Sequence, residues 1–105
     1  MLYMVENIQI APEDTDRYLK LFERVELPAA KARGMTLVSC WHTPTTLGED
    51  VTVTTVWSMR DWAHWNDLRK ATVLDGQFHE WLDEAKLLWK GGTRRFFTPA
   101  EFSPM

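Results

Sequence analysis

Apolar and polar side chains alternate at the start of the chain. Leu2, Met4, Ile8 and Ile10 fall on one face and Tyr3, Val5, Asn7 and Gln9 on the other, which is the period-2 signature of a strand. Pro12 then suits a first helical turn, and Glu13, Asp14 and Asp16 set negative charge at its positive dipole end. Tyr18, Leu21, Phe22 and Val25 follow at i, i+3, i+4 and i+7, one apolar stripe facing a core. Pro28 is expected to break or kink this helix, because it lacks an N–H and crowds the preceding turn. A further turn, AAKAR, ends at Gly34 as the residue just past the helix.

MTLVSCWHT (35–43) and VTVTTVW (51–57) are rich in β-branched and aromatic residues and predict two more strands. The segment PTTLGED between them is longer than a tight hairpin turn. Ser58 and Asp61 have the spacing of a capping box, predicting a helix from near Met59 to about Thr72. After Asp75-Gly76, the residues Phe78, Trp81, Leu82, Ala85, Leu88 and Trp89 recur at helical spacing and predict a long amphipathic helix stopped by Gly91-Gly92. TRRFFT supplies a last strand.

The order β-α-β-β-α-β, with the second helix divided, is that of an α+β ferredoxin-like fold with a four-stranded antiparallel sheet. Helices cover one face of such a sheet. The other would carry Val38, Cys40 and Val56, or else Leu37, Trp41 and Val53, depending on strand orientation. An apolar second face needs cover, so a homodimer with packed sheets is expected.

Composition narrows the function classes. The length of 105 residues fits a single domain over 1–105. With 45% hydrophobic and 26% charged residues the chain is globular in composition, not disordered. A net charge of −3 gives no basic stripe for nucleic acid, and Arg94-Arg95 is too small a cluster to change that. Cys40 is the single cysteine, which excludes an internal disulfide and a cysteine zinc site; its apolar surroundings predict a buried, inert thiol. The N-terminus has neither a basic leader nor a continuous apolar run, and the helices' polar faces mix acids with lysines, so a cytoplasmic chain with no membrane contact is expected.

The run ELPAAKARGMTLVSCW is similar to a passage of NIPSNAP-type proteins in which LP, a short helix, a glycine and LV follow one another. GEDVTVTTVWSM resembles their glycine followed by a strand ending in Trp, and LDGQF and the terminal FSPM resemble their closing helix and SPL ending. The resemblance covers nearly the whole chain in order. It implies a dimeric α+β barrel, within a wider group that includes cofactor-independent monooxygenases, lactone isomerases, polyketide cyclase-like enzymes and non-catalytic members. Ligands in that group usually sit between helices and sheet. NIPSNAP-type members have no agreed catalytic set, so no role is carried over. Met59 and Phe78 stand where that family often has an aromatic residue and a Trp respectively.

The candidate chemistry lies in VWSMRDWAHWNDLRK. On a helical wheel Trp62, Trp65, Leu68 and Thr72 share an arc of about 120°, and Arg69 falls inside it. An arginine on an apolar stripe must snorkel, pair with a carboxylate such as Glu6, or anchor a ligand in a wet cleft. His64 on the flank of the arc and His42 at the end of the second strand are the candidate proton carriers. Trp57, Trp62 and Trp65 are expected to crowd one corner of the cleft and, with Tyr18 and Phe22, to line it. Trp81 and Trp89 are expected in the core. The three histidines, with His79, have no HxH or HxxxH spacing, so no metal site is expected, and no cofactor; haem or metal on one histidine is the weakest alternative. No G-x-S-x-G and no phosphate loop occur. The expected function is binding of a hydrophobic or aromatic small molecule in a helix–sheet cleft, with oxygenation, isomerisation or cyclisation all open and a non-catalytic role as the alternative.

Overall fold

The computed structural model describes residues 1–46 and 48–104, so Leu47 of the PTTLGED loop and the terminal Met105 lie outside the described residues. Strands β1 (Leu2–Ile10), β2 (Thr36–His42), β3 (Val51–Met59) and β4 (Trp89–Phe97) form one sheet in the order β2-β3-β1-β4. All three pairings are antiparallel. Between β1 and β2 run α1 (Thr15–Leu21), a π-helical segment (Phe22–Glu26) and α2 (Leu27–Ala32). Between β3 and β4 run α3 (Trp62–Val73) and α4 (Gly76–Ala85). This is the ferredoxin-like arrangement expected from the sequence.

Three local expectations are corrected. Pro28 does not break the helix. The Leu27 N–H reaches back to the Phe22 carbonyl in a widened turn, and Pro28 enters at the start of α2, where its missing N–H costs little. Arg33 and Gly34 then close the helix: Gly34 has φ 92, Gly34 N–H donates to the Lys31 carbonyl and Met35 N–H to the Ala30 carbonyl, a Schellman ending.

The Ser58–Asp61 capping box does not form either. Ser58 and Met59 stay in β3, paired with Tyr3 and Leu2, and Asp61 alone caps α3 by accepting from the His64 N–H at 2.8 Å. Sheet pairing and burial of Met59 outweigh a cap at Ser58. Finally, α4 ends at Ala85 and Trp89 opens β4 opposite Ile10. Gly91-Gly92 are therefore inside a strand and stop no helix.

The helix-facing side of the sheet carries Leu2, Met4, Ile10, Val51, Val53, Trp57 and Met59, all buried against the helices. Burial of each large apolar side chain contributes roughly 1.5–3 kcal/mol. On the opposite face β2 has a bulge: Leu37 pairs with Trp57 but Ser39 pairs with Val56. The extra residue turns Leu37, Cys40 and Val53 to the helices and Val38, Trp41 and Val56 to the open face, so neither expected set is correct. Val38, Trp41, Tyr3, Val5, Val56 and Phe97 line a shallow apolar depression there, and Trp41 is 64% exposed. Cys40 is exposed on β2 rather than buried, because β2 is an edge strand. Among the described residues no helix is long and apolar enough to cross a membrane.

The glycine pair tests the revised boundary. A Cβ on Gly92 would come within 2.8 Å of Ile8 Cδ1 and 3.1 Å of the Asn7 carbonyl oxygen, whereas one on Gly91 would meet Gln9 at an ordinary 3.8 Å. Gly92→Ala should therefore lower stability by about 1 kcal/mol, overpacking outweighing the entropy gain. Gly91→Ala should leave it unchanged or raise it by up to about 1 kcal/mol. Urea denaturation of the two variants checks this, and equal effects would refute the register.

Candidate functional site

The core is hollow where the two layers meet. A cavity of about 370 Å³ opens between the middle of the sheet and the helices. Its sheet side is Met4, Glu6, Ile8, Val53, Thr55 and Trp57, and β4 adds Trp89 and Arg94. The π-helical segment supplies Phe22 and Glu26, α3 supplies Trp65, Arg69 and Thr72, and α4 supplies Phe78 and Trp81. The aromatic rings meet at angles rather than stacking. Phe22 lies 6.1 Å from Trp57 and 6.3 Å from Trp81, which in turn lies 6.0 Å from both Phe78 and Trp89. Such tilted contacts hold the rings upright as walls.

Polar groups enter this wall in two ion-paired sets. Glu6 and Arg94 stand opposite each other on β1 and β4, with Nη2 2.9 Å from Oε2, and the Arg94 guanidinium lies 5.7 Å from the Trp65 ring centre. Deeper, Arg33 is nearly buried. It donates to Glu26 at 2.9 Å and to Asp75 at 2.7 Å and lies 5.4 Å from the Phe78 ring centre. Burial raises the Glu26 carboxyl above the usual carboxylate range, and Arg33 only partly opposes this. Asp75 is held low by its bond from Arg33. Tyr18 accepts a hydrogen bond from Trp89 Nε1 at 3.3 Å, and burial pushes its hydroxyl up to about 12, so it keeps its proton. Among the described residues, three fully buried donor atoms of residues that line the cavity, Trp57 Nε1, Trp81 Nε1 and Arg33 Nε, have no acceptor.

The residues singled out from the sequence separate. Tyr18, Phe22, Trp57, Trp65 and Arg69 line the cavity. Arg69 does not pair with Glu6, whose partner is Arg94; it is exposed on the wall with no carboxylate in ion-pair range among the described residues. Trp62 is 55% exposed and is not on the cavity wall; it packs on Phe96 at 5.0 Å, as Trp65 does at 5.2 Å. His64 is absent from the cavity wall and supports the start of α3, its Nδ1 accepting from the Arg60 N–H at 3.0 Å. His42 is exposed at the end of β2, donating to the Thr43 carbonyl at 2.8 Å, and is also outside the wall. His79 donates to the Val73 carbonyl. No group of three potential metal ligands occurs among the described residues.

Trp81 is in the core cluster and Trp89 packs against it, as expected, and both also line the cavity; Arg33 was not singled out at all. A signal existed for Arg33: Glu26 lies seven residues earlier, two helical turns away on the same face. Its link to Asp75, 42 residues on, has no sequence mark.

Replacing Arg33 by Met should cost about 3–5 kcal/mol near pH 7, because Glu26 is left buried without a cation. The sign with pH follows from the raised carboxyl. Without Arg33 the folded state takes up a proton at Glu26 more readily than the unfolded state, so lowering the pH relieves the penalty. The loss measured by urea denaturation should shrink between about pH 7 and about pH 5; a loss that is the same at both would show that Glu26 does not carry it.

The NIPSNAP family profile matches residues 3–104. No curated protein matches the chain in sequence. In structure it is similar to an uncharacterised NIPSNAP domain protein from Burkholderia xenovorans, with a TM-score of 0.86, 21% identity and 100% of both chains covered. It is similar also to a NIPSNAP family protein from Agrobacterium tumefaciens, at 0.84 and 19%, over 98% of this chain and 89% of that one. An antibiotic biosynthesis monooxygenase shares the fold at 0.66 and 13% identity, over 95% and 99% of the two chains. The continuous match over 3–104 settles the family: this chain belongs to the NIPSNAP family.

Proposed function

We propose that this protein binds an apolar small molecule, aromatic or similarly hydrophobic, in the cavity between helices and sheet. The observation that carries the reading is a preformed, aromatic-walled space of about 370 Å³, within the roughly 300–1,000 Å³ range of small-molecule sites. The wall includes Trp57, Trp65, Trp81, Phe22 and Phe78, which suit a flat or apolar body. Binding is favoured over catalysis because the acids that face the cavity, Glu6 and Glu26, are each held by an arginine. An enzyme using Arg69 with His64 or His42 on an oxygenation, isomerisation or cyclisation has less support, since both histidines lie outside the wall.

Calorimetry with 2-naphthamide, a neutral bicyclic aromatic, should give a Kd below about 1 mM, modest for so small a ligand. Trp65→Ala should weaken it at least about fivefold. No heat of binding up to millimolar concentration would end this reading.

We further propose that the open sheet face closes on a second copy. The support is its apolar surface around Trp41, Val38 and Phe97, each at least 39% exposed, which is the kind of contiguous patch that marks an interface. Light scattering should then give about twice the 12.3 kDa chain mass, and Val56→Arg should return the monomer by burying an unpaired charge. A parent protein that is monomeric at micromolar concentration would exclude the interface.

A further inference from the structure

We propose that the ligand is an apolar monoanion, a carboxylate or similar oxyanion, whose charged end is held at Arg69. This rests on the reading of the cavity as a small-molecule site and adds the chemical class of the ligand.

Five ionisable side chains of acid or arginine type face the cavity: Glu6, Glu26, Arg33, Arg69 and Arg94. The charges of Arg94 and Arg33 are taken up by Glu6 and Glu26, and Arg33 also by Asp75, which lies outside the wall. Arg69 has no such partner among the described residues. Unpaired surface cations are ordinary. This one differs by its place, on the apolar side of α3 between Trp65 and Thr72 at the edge of an aromatic hollow. Glu6 is paired with Arg94, and Glu26 and Asp75 share Arg33, so each of these carboxylates is already in contact with an arginine other than Arg69.

An oxyanion at Arg69 would gain a charge-assisted contact beside the aromatic wall, a neutral ligand of the same shape would not, and a cation placed there would meet a like charge. The expected preference is therefore by charge as well as by shape.

Three bicyclic probes of equal shape separate the possibilities by calorimetry: 2-naphthoate (anion), 2-naphthamide (neutral) and 2-(aminomethyl)naphthalene (cation). The parent protein should bind the acid about five- to tenfold more tightly than the amide, as a charge-assisted contact implies, and the cation most weakly. In Arg69→Gln the acid-to-amide ratio should fall to within about twofold, and Arg69→Lys should keep most of the preference. If the amide binds as tightly as the acid in the parent, or if the preference survives in Arg69→Gln, the anion proposal is wrong while the cavity reading stands. If none of the three binds, both fall together.

Discussion

The buried guanidinium of Arg33 governs the geometry of the helical layer. It reaches Glu26 on the π-helical segment and Asp75 at the cap of α4, and it lies over Phe78. Those contacts tie the first helical connection to the second at a fixed separation. A cation with a side chain 7% exposed is costly to bury, and charge-assisted bonds to two carboxylates offset that cost only while the geometry holds. The triad joins the end of α2 to the start of α4 beside the hollow, alongside the apolar packing of Phe22, Phe78 and Trp81.

The π-helical segment is the second half of the same device. One extra residue in the turn between Phe22 and Leu27 lets Pro28 follow without breaking the helix, and it brings Phe22 and Glu26 onto the cavity wall. Such widened turns occur frequently at functional sites. Here the distortion joins local backbone chemistry to the site: Phe22 supplies an edge to Trp57 and Trp81, and Glu26 supplies the acid for Arg33. On the sheet side, Gly92 lets β4 lie close against β1 at Ile8, which carries Arg94 into register with Glu6. The adjacent Arg95 faces the other way, opposite Val5, so the apparent basic pair is divided between the two faces.

Most of the architecture was legible because it depends on periodicity. Alternation in β1 and the i, i+3, i+4 stripe from Tyr18 to Val25 hold whatever partner each element meets. Boundaries failed where a tertiary pairing overrode a local signal: Ser58 remained in the sheet despite capping spacing, and Trp89 left a helical pattern to pair with Ile10. Strand β2 failed for another reason, since a bulge shifts the alternation by one and no residue type announces it. In the site, Tyr18, Phe22, Trp57 and Trp65 were legible as large aromatics on core-facing stripes. The division of the arginines was not. Which acid neutralises which cation depends on the β1–β4 register and on a contact 42 residues apart.

Structural neighbours at 13–21% identity keep this fold at TM-scores of 0.63–0.87, which follows from a backbone specified by pattern rather than by particular side chains. The hollow is a different matter. Its volume, and an Arg69 with no carboxylate in ion-pair range among the described residues, arise from individual residues at positions where the pattern asks merely for something apolar or tolerates something polar. Shared architecture therefore carries no information about ligand or reaction for this chain. The chemistry must be read from Arg33, Arg69 and the tryptophans of its own wall, and it is on those residues that the proposal of an apolar ligand with a negative end rests.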